Sequence, residues 1–329
     1  MTLTLVVTVA PAQYAAVKPK EWKLSTAVGS AFALGKAGER WAKLIAEKSA
    51  GKLTVQWFPG ATLAQRDPAR EFLALRDGAA DLAVGSTLFW SAQVAELNVI
   101  GLPWLVPDAK GLEALVAGTM TERLAAAIER AGAVPLGFAA LQFREIAATT
   151  TDPRAPADFA GLAIRGAPVP SLADLFVALG ARPRSMAFAD AQAAFRAGTL
   201  GAQEGPPVSL SAARLDALGI RHVLLWGAVA EVAVFAMNRT TWNALTPEQQ
   251  GLVRGAAQQV AREVPALARA ENDAAIVDLR RRGVTVTRLT ASGRAAFASA
   301  ARGAYDKWAA VAGPDLVDAA ETAVKATTP

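Results

Sequence analysis

Apolar positions along this chain repeat with two different periods, and the two periods alternate. Trp22 to Val28 has the pattern of a strand. Ala37, Trp41, Leu44 and Ile45 then recur at helical spacing, predicting an amphipathic helix over 31–49 that Gly51 stops. Leu53, Val55 and Trp57 alternate as a second strand, ended by Pro59-Gly60. A helix over 67–77, then Gly78, then the short apolar strand Asp81 to Val84 complete the unit. Helices between strands in this order predict an α/β region with a largely parallel sheet.

A second region repeats the grammar. GLAIRG at 161–166 holds a strand, a helix follows over 169–180, and a strand lies near Arg184 to Ala187. Helix 189–197 then runs through Gly198 into Thr199 to Glu204. FLALRDGAADLAVG and AAFRAGTLGAQEG share one layout of helix, glycine break and short segment ending in a turn. Two such occurrences suit two lobes built on similar plans. Further on, Thr246-Pro247-Glu248-Gln249 is a helix start, with a threonine cap, an early proline and glutamine at the reciprocal position. Val253, Ala257, Val260, Val264 and Leu267 continue one face, and the pattern runs to Arg282 with a kink expected at Pro265. A helix of that length can lie along both lobes. Val284 to Leu289 reads as a strand and 291–311 as a helix.

Composition narrows the chemistry. The chain has 329 residues, enough for two domains, and 53% hydrophobic content supports a sizeable core. Beyond the N-terminus no apolar run reaches eighteen residues, so no membrane span is predicted. The net charge is +5, but the basic residues are scattered. The densest group, Arg280 to Arg282, ends a predicted helix, where positive charge complements the dipole, so no nucleic-acid partner is expected. Cysteine is absent, which excludes disulfides and thiol chemistry, and the single histidine, His222, lies in the strand-like HVLLW as a structural residue. No metal site and no cofactor are expected. Residues 1–12, MTLTLVVTVAPA, form a short apolar stretch ending in Ala10-Pro11-Ala12. That is the apolar region and cleavage site of an export signal, without the charged start, and predicts a mature chain from near Gln13.

Ligands in open α/β sheets bind beyond the carboxyl ends of strands. Polar residues just after predicted strands are therefore the candidates: Gly29 and Ser30; Gly85, Ser86 and Thr87; and Arg144, Arg165, Gln203 and Glu204. Arg165 follows Leu162-Ala163-Ile164 in a strand that otherwise reads as buried. A buried guanidinium needs an anionic partner, either a ligand carboxylate or an internal Asp or Glu. Its planar fork matches a carboxylate in bidentate fashion. Arg144, in LQFREIA, is a similar candidate beside Glu145. Phe89, Trp90, Phe143 and Trp226 could wall a pocket or belong to the core.

The segment GLAIRGAPVPSLADLFVALGARPRSMAFADAQAAFRAGTLGAQEGP, residues 161–206, resembles the signature stretch of solute receptors of tripartite ATP-independent periplasmic (TRAP) transporters. GKLTVQWFPGATL, ALRDGAADLAVG, IGLPWLVPD, GFAALQFREIAAT and VAVFAMNRTTWNALTPEQQ resemble further family segments in the same order, covering about 22–312. The resemblance implies a two-lobed periplasmic-binding-protein fold of type II-like form, with a long helix spanning both lobes. It implies lobe I at 20–141 and 232–268 and lobe II at 142–231 and 269–329. It places Arg165 on the ligand carboxylate and Arg144 at a second family arginine. Where the family ends in Asp-Gly-Gln-Glu-Asn-Pro, this chain has Leu200 to Pro206 with Gly205 in the asparagine position. A second departure is Leu63-Ala64-Gln65, where the family carries Leu-Gly.

The function implied is an exported, periplasmic, monomeric receptor. It would close on a small organic acid and hand it to integral membrane transporter subunits, without catalysis. The site would comprise Arg165, Arg144, Gln203, Glu204, Ser86, Phe89, Trp90, Phe143, Trp226 and Ser30. The alternative is a carboxylate-binding protein serving a sensor kinase or another transporter class. An enzyme on a similar fold would have to work with carboxylates alone.

Overall fold

The computed structural model describes residues 21–150, 152–186 and 188–327. The export signal expected at 1–12 lies outside them. Nine strands form one sheet: β1 Glu21–Thr26, β2 Thr54–Phe58, β3 Leu82–Ser86, β4 Ala133–Ala148, β5 Ala163–Gly166, β6 Arg182–Ser185, β7 Ala202–Gly205, β8 His222–Asn238 and β9 Thr285–Arg288. Their order is β2-β1-β3-β8-β4-β7-β5-β6, with β9 on β8.

The two halves read as βα units are parallel inside, β1 pairing with β2 and β3, and β5 with β6 and β7. The centre differs from the largely parallel sheet expected. β3–β8, β8–β4 and β4–β7 are antiparallel. β4 and β8 run through both lobes as a paired ribbon of 16 and 17 residues. The register of that ribbon shifts between Pro135 and Gly137, Ala140 and Gln142, and Arg144 and Ile146. Bulges bend and twist a strand pair without breaking it, so one continuous ribbon serves two differently oriented lobes. At the last shift Arg144 pairs with Val229 but Ile146 pairs with Leu224, so residues 225–228 bulge out of the pairing with β4 while remaining in β8. Gly227 makes this bulge possible with a φ of 59°.

Each lobe carries helices on both faces of its part of the sheet. In lobe I the helix Ala33–Lys48 buries Trp41, Leu44 and Ile45 on one face, together with Val253, Val260 and Val264 of the long helix Pro247–Arg281. The opposite face is covered by Met120, Leu124 and Ile128 of the helix Gly118–Ala131. Lobe II has its own two clusters, one around Phe159, Phe176, Trp226 and Phe297, the other around Phe195, Leu210, Val223 and Leu279.

The long helix starts as its sequence predicts. Thr246 Oγ1 accepts from Gln249 N at 3.3 Å, and Gln249 Oε1 accepts from Thr246 N at 3.0 Å. Its first part packs in lobe I and Leu279 packs in lobe II, with Pro265 between. The C-terminal segment differs from the lobe II placement expected for 269–329. Leu316, Val317, Ala320 and Val324 of the helix Pro314–Lys325 pack with Met120 and Leu124 of lobe I. The apolar stripe of this helix closes a face of lobe I that its own helices leave open.

Candidate functional site

On the seam between the lobes, buried side chains of opposite charge alternate in one connected row. Arg165 lies on β5, Glu204 on β7, Arg144 on β4 and Glu231 on β8. Arg165 Nη1 stands 3.6 Å from Glu204 Oε1. Glu204 receives a two-pronged contact from Arg144, Nε to Oε2 and Nη2 to Oε1, the second at 3.0 Å. Arg144 Nη1 continues to Glu231 Oε2 at 3.2 Å. Glu231 then accepts from Ser86 Oγ of lobe I at 2.9 Å and from Gln142 Nε2 at 2.9 Å. All four charged residues are buried.

The strand ends explain this convergence. β5 and β7 are parallel, and β3 meets β8 antiparallel, so the carboxyl ends of β3, β5 and β7 all reach the crossing of β4 and β8. β3 supplies Ser86 there, β5 Arg165, and β7 both Gln203 and Glu204.

The electrostatics separate the two arginines. Burial works against the Arg144 charge, but Glu204 and Glu231 together hold its pKa above the ordinary value. Burial would raise Glu204, yet Arg144, Arg165 and the backbone N–H of Ala167 keep it below the ordinary carboxylate value. Arg165 is drawn below its ordinary value, chiefly by burial and then by the nearby Arg144, with Glu204 opposing. Its Nε and Nη2 donate to the carbonyl of Met186 at 3.2 and 3.0 Å. Arg144 is thus fixed between two carboxylates, whereas Arg165 stands at the end of the row.

Gln203 pairs in register with Arg165 and shares its face of the sheet. It is fully buried, and neither end of its side-chain amide has a hydrogen-bond partner among the described residues. Buried amides are nearly always bonded, and these two atoms are an exception among the described residues. Gly205 follows; a Cβ there would lie 3.5 Å from Leu210, an ordinary contact.

Four of the residues singled out in the sequence therefore meet in the row, Arg165, Arg144, Glu204 and Ser86, and Gln203 lies beside Arg165 in strand register. The others are placed differently. Trp226 lies in the core of lobe II, stacked on Phe159 at 5.6 Å between ring centroids, and its indole N–H donates to the carbonyl of Arg144 at 2.8 Å. Trp90 is buried inside lobe I against Phe72 and Gly85. Phe89 packs where the clusters of the two lobes meet. Ser30 is exposed beyond β1. Phe143 lines a cavity of about 250 Å³ where the ribbon passes under Pro265, with Gln142, Glu145, Gly227, Arg269 and Arg288. His222 is half-buried, and its Nδ1 lacks a hydrogen-bond partner among the described residues. No cluster of three potential metal ligands occurs among the described residues.

Sequence reading missed Glu231 and Gln142. The signal for Glu231 was present: it is the lone charge inside the apolar run AVAEVAVFAM, the same logic that marked Arg165.

Two lobes joined by a strand ribbon and a long helix, with a buried charged row on their seam, define a two-lobed solute-binding protein. The family model for bacterial extracellular solute-binding proteins, family 7, matches residues 24–311, and the chain belongs to that family. A TRAP periplasmic solute-binding protein from Ralstonia eutropha H16, solved with bound (S)-2-acetolactate, is 39% identical. The match covers 93% of this chain and 99% of that one, with a TM-score of 0.89. Another, from Bordetella, with density interpreted as pantoate, is 26% identical over 92% of this chain and 98% of that one, at a TM-score of 0.81. An uncharacterized Sinorhizobium fredii protein is 29% identical over 88% of this chain, which spans 53% of that protein's length. The expected class, an extracellular solute-binding protein, therefore holds, and the relative at 39% identity is a TRAP receptor holding an organic acid.

Proposed function

We propose that this receptor captures a small, branched monocarboxylate carrying a 2-hydroxy or 2-oxo group, and that Arg165 is its carboxylate anchor. The observation that carries the reading is the pairing of Arg165 with the orphaned Gln203 amide at the end of the charged row. A ligand carboxylate on Arg165 gives a charge-assisted bond in a buried site, and Gln203 can both donate to and accept from the adjoining oxygens. Arg144 is already matched by Glu204 and Glu231, so its role is to hold those carboxylates in place.

The size and class of ligand follow from two supports. The Ralstonia and Bordetella relatives hold acetolactate and a molecule interpreted as pantoate, both branched 2-hydroxy monocarboxylates. Gly205, where the family resemblance places an asparagine, offers no side chain to a ligand, and the buried Leu210 stands beside it. Binding favours the closed arrangement of the lobes, and the membrane subunits of a TRAP transporter take the ligand from it, with no chemical change. The ribbon bulge at 225–228 and the helix at Pro265 are the elements that take up the motion.

Calorimetric titration with 2-acetolactate and pantoate tests this. Arg165→Ala should weaken binding about a hundredfold, close to 2.7 kcal/mol. Full affinity in a folded Arg165→Ala protein overturns the assignment.

A further inference from the structure

We infer that Glu231 determines specificity: its carboxylate accepts the ligand's hydroxyl and rejects a second carboxylate. The inference rests on the proposed binding of a monocarboxylate at Arg165.

The hydrogen-bond inventory of Glu231 is nearly full but not complete. A carboxylate offers about four acceptor positions, two per oxygen. Oε2 takes Gln142 Nε2 and Arg144 Nη1, whereas Oε1 takes only Ser86 Oγ. One acceptor position on Oε1 is left, on a side chain only 2% exposed. It lies on the seam, next to Ser86 at the carboxyl end of β3, where the polar ends of the strands converge. A hydroxyl group satisfies that position by donating to it. A second ligand carboxylate has no proton to donate and brings like charge against a fixed anion.

Charge balance points the same way. The row contains two guanidinium groups, Arg144 and Arg165, and two carboxylates, Glu204 and Glu231. One ligand carboxylate takes this balanced, buried cluster to one net negative charge. A dicarboxylate takes it to two, in surroundings where water screens little. Glu204 by the same count also keeps one acceptor position, on Oε2, but Arg144 and Arg165 both stand beside it, whereas Glu231 meets Arg144 alone and is the less compensated anion.

The test compares ligands that share a skeleton. 2-Hydroxy-2-methylbutanoate and citramalate differ by a methyl group replaced with a carboxylate, and the citramalate monoamide at that carboxylate is a neutral match for the diacid. The wild-type protein should bind the monocarboxylate and the monoamide about a hundredfold more tightly than the diacid. In Glu231→Gln the preference over the diacid should narrow about tenfold or more, because the fixed anion is gone. Equal binding of diacid and monoamide by the wild type overturns the inference, as does unchanged discrimination in a folded Glu231→Gln protein. If Glu231→Gln fails to fold, the monoamide comparison decides alone. If the wild type binds none of these acids and neither acetolactate nor pantoate, the functional proposal itself fails, which is a separate result.

Discussion

Glu204 and Glu231 sit in the seam row, each in an ion pair with a guanidinium, while Glu71 in lobe I and Glu145 in β4 lie buried with no ion pair among the described residues. Burial raises Glu71 to about 7, against Ser25 and Trp90, which pull it down. Glu145 also rises to about 7 through burial, although backbone N–H groups of Gly227 and Trp226 and the charge of Arg288 oppose the rise. Glu204 falls instead of rising, because cations surround it. Equal burial thus yields opposite charge states, and the neighbours decide which. Of the shifted buried carboxylates, Glu204 in the seam is the one held in its charged form, which suits a site that keeps two guanidinium groups beside it.

The two regimes give opposite pH slopes. The stabilisation from Glu204 is present above its ordinary pKa of 4.5 and is lost as the pH falls through its lower folded value. Glu71 and Glu145 bind protons more strongly when folded, so their effect is to lower stability as the pH rises from 4.5 to about 7.

The largest effect should come from removing the central cation. Arg144→Met leaves Glu204 and Glu231 buried without their shared partner and should cost about 3–5 kcal/mol in urea unfolding at pH 7. Lowering the pH to 4 should return part of that loss, because the stranded carboxylates then take up protons. An equal loss at both pH values would break the comparison, showing the row to be no more than packing.

An intermediate effect is expected at Glu145, which accepts from Gly227 N at 3.0 Å. Glu145→Gln keeps an acceptor and removes the buried charge. At pH 8 it should stabilise the protein by about 1–3 kcal/mol, and near pH 4 the two proteins should match. Because glutamine can still accept from Gly227 N, the same substitution should leave the affinity of the Arg165 site for acetolactate within about twofold.

How much of this was legible depends on the kind of residue. Arg165 was readable because a guanidinium closing an apolar strand demands a partner, and Thr246 to Gln249 because a capping pair has fixed spacing. The ribbon was not readable as one unit. Gly137, Gln142, Arg144-Glu145 and Gly227 interrupt its apolar pattern, and only pairing through bulges shows that β4 and β8 run on. Trp90 and Trp226 could not be assigned to pocket or core, since an indole suits both; the stacking partners decide. The helix Pro314–Lys325 has a clear apolar stripe, but nothing local says which lobe it covers.

The smallest effect isolates one hydrogen bond within the unpaired regime. Ser25 Oγ donates to Glu71 Oε1 at 2.8 Å inside lobe I, and this contact favours the charged form of Glu71. Ser25→Ala removes the donor and should raise the folded pKa of Glu71 further above about 7. Folded and unfolded chains then differ in protonation over a wider range, so stability should go on falling past neutral pH instead of levelling off there. The loss should be about 1 kcal/mol at pH 9 and smaller at pH 5, where Glu71 is protonated in the folded state with or without Ser25. Thermal unfolding of both proteins across that range measures it. If the loss is the same at every pH, Ser25 acts on Glu71 through packing alone, and burial by itself sets the charge of the lone carboxylates.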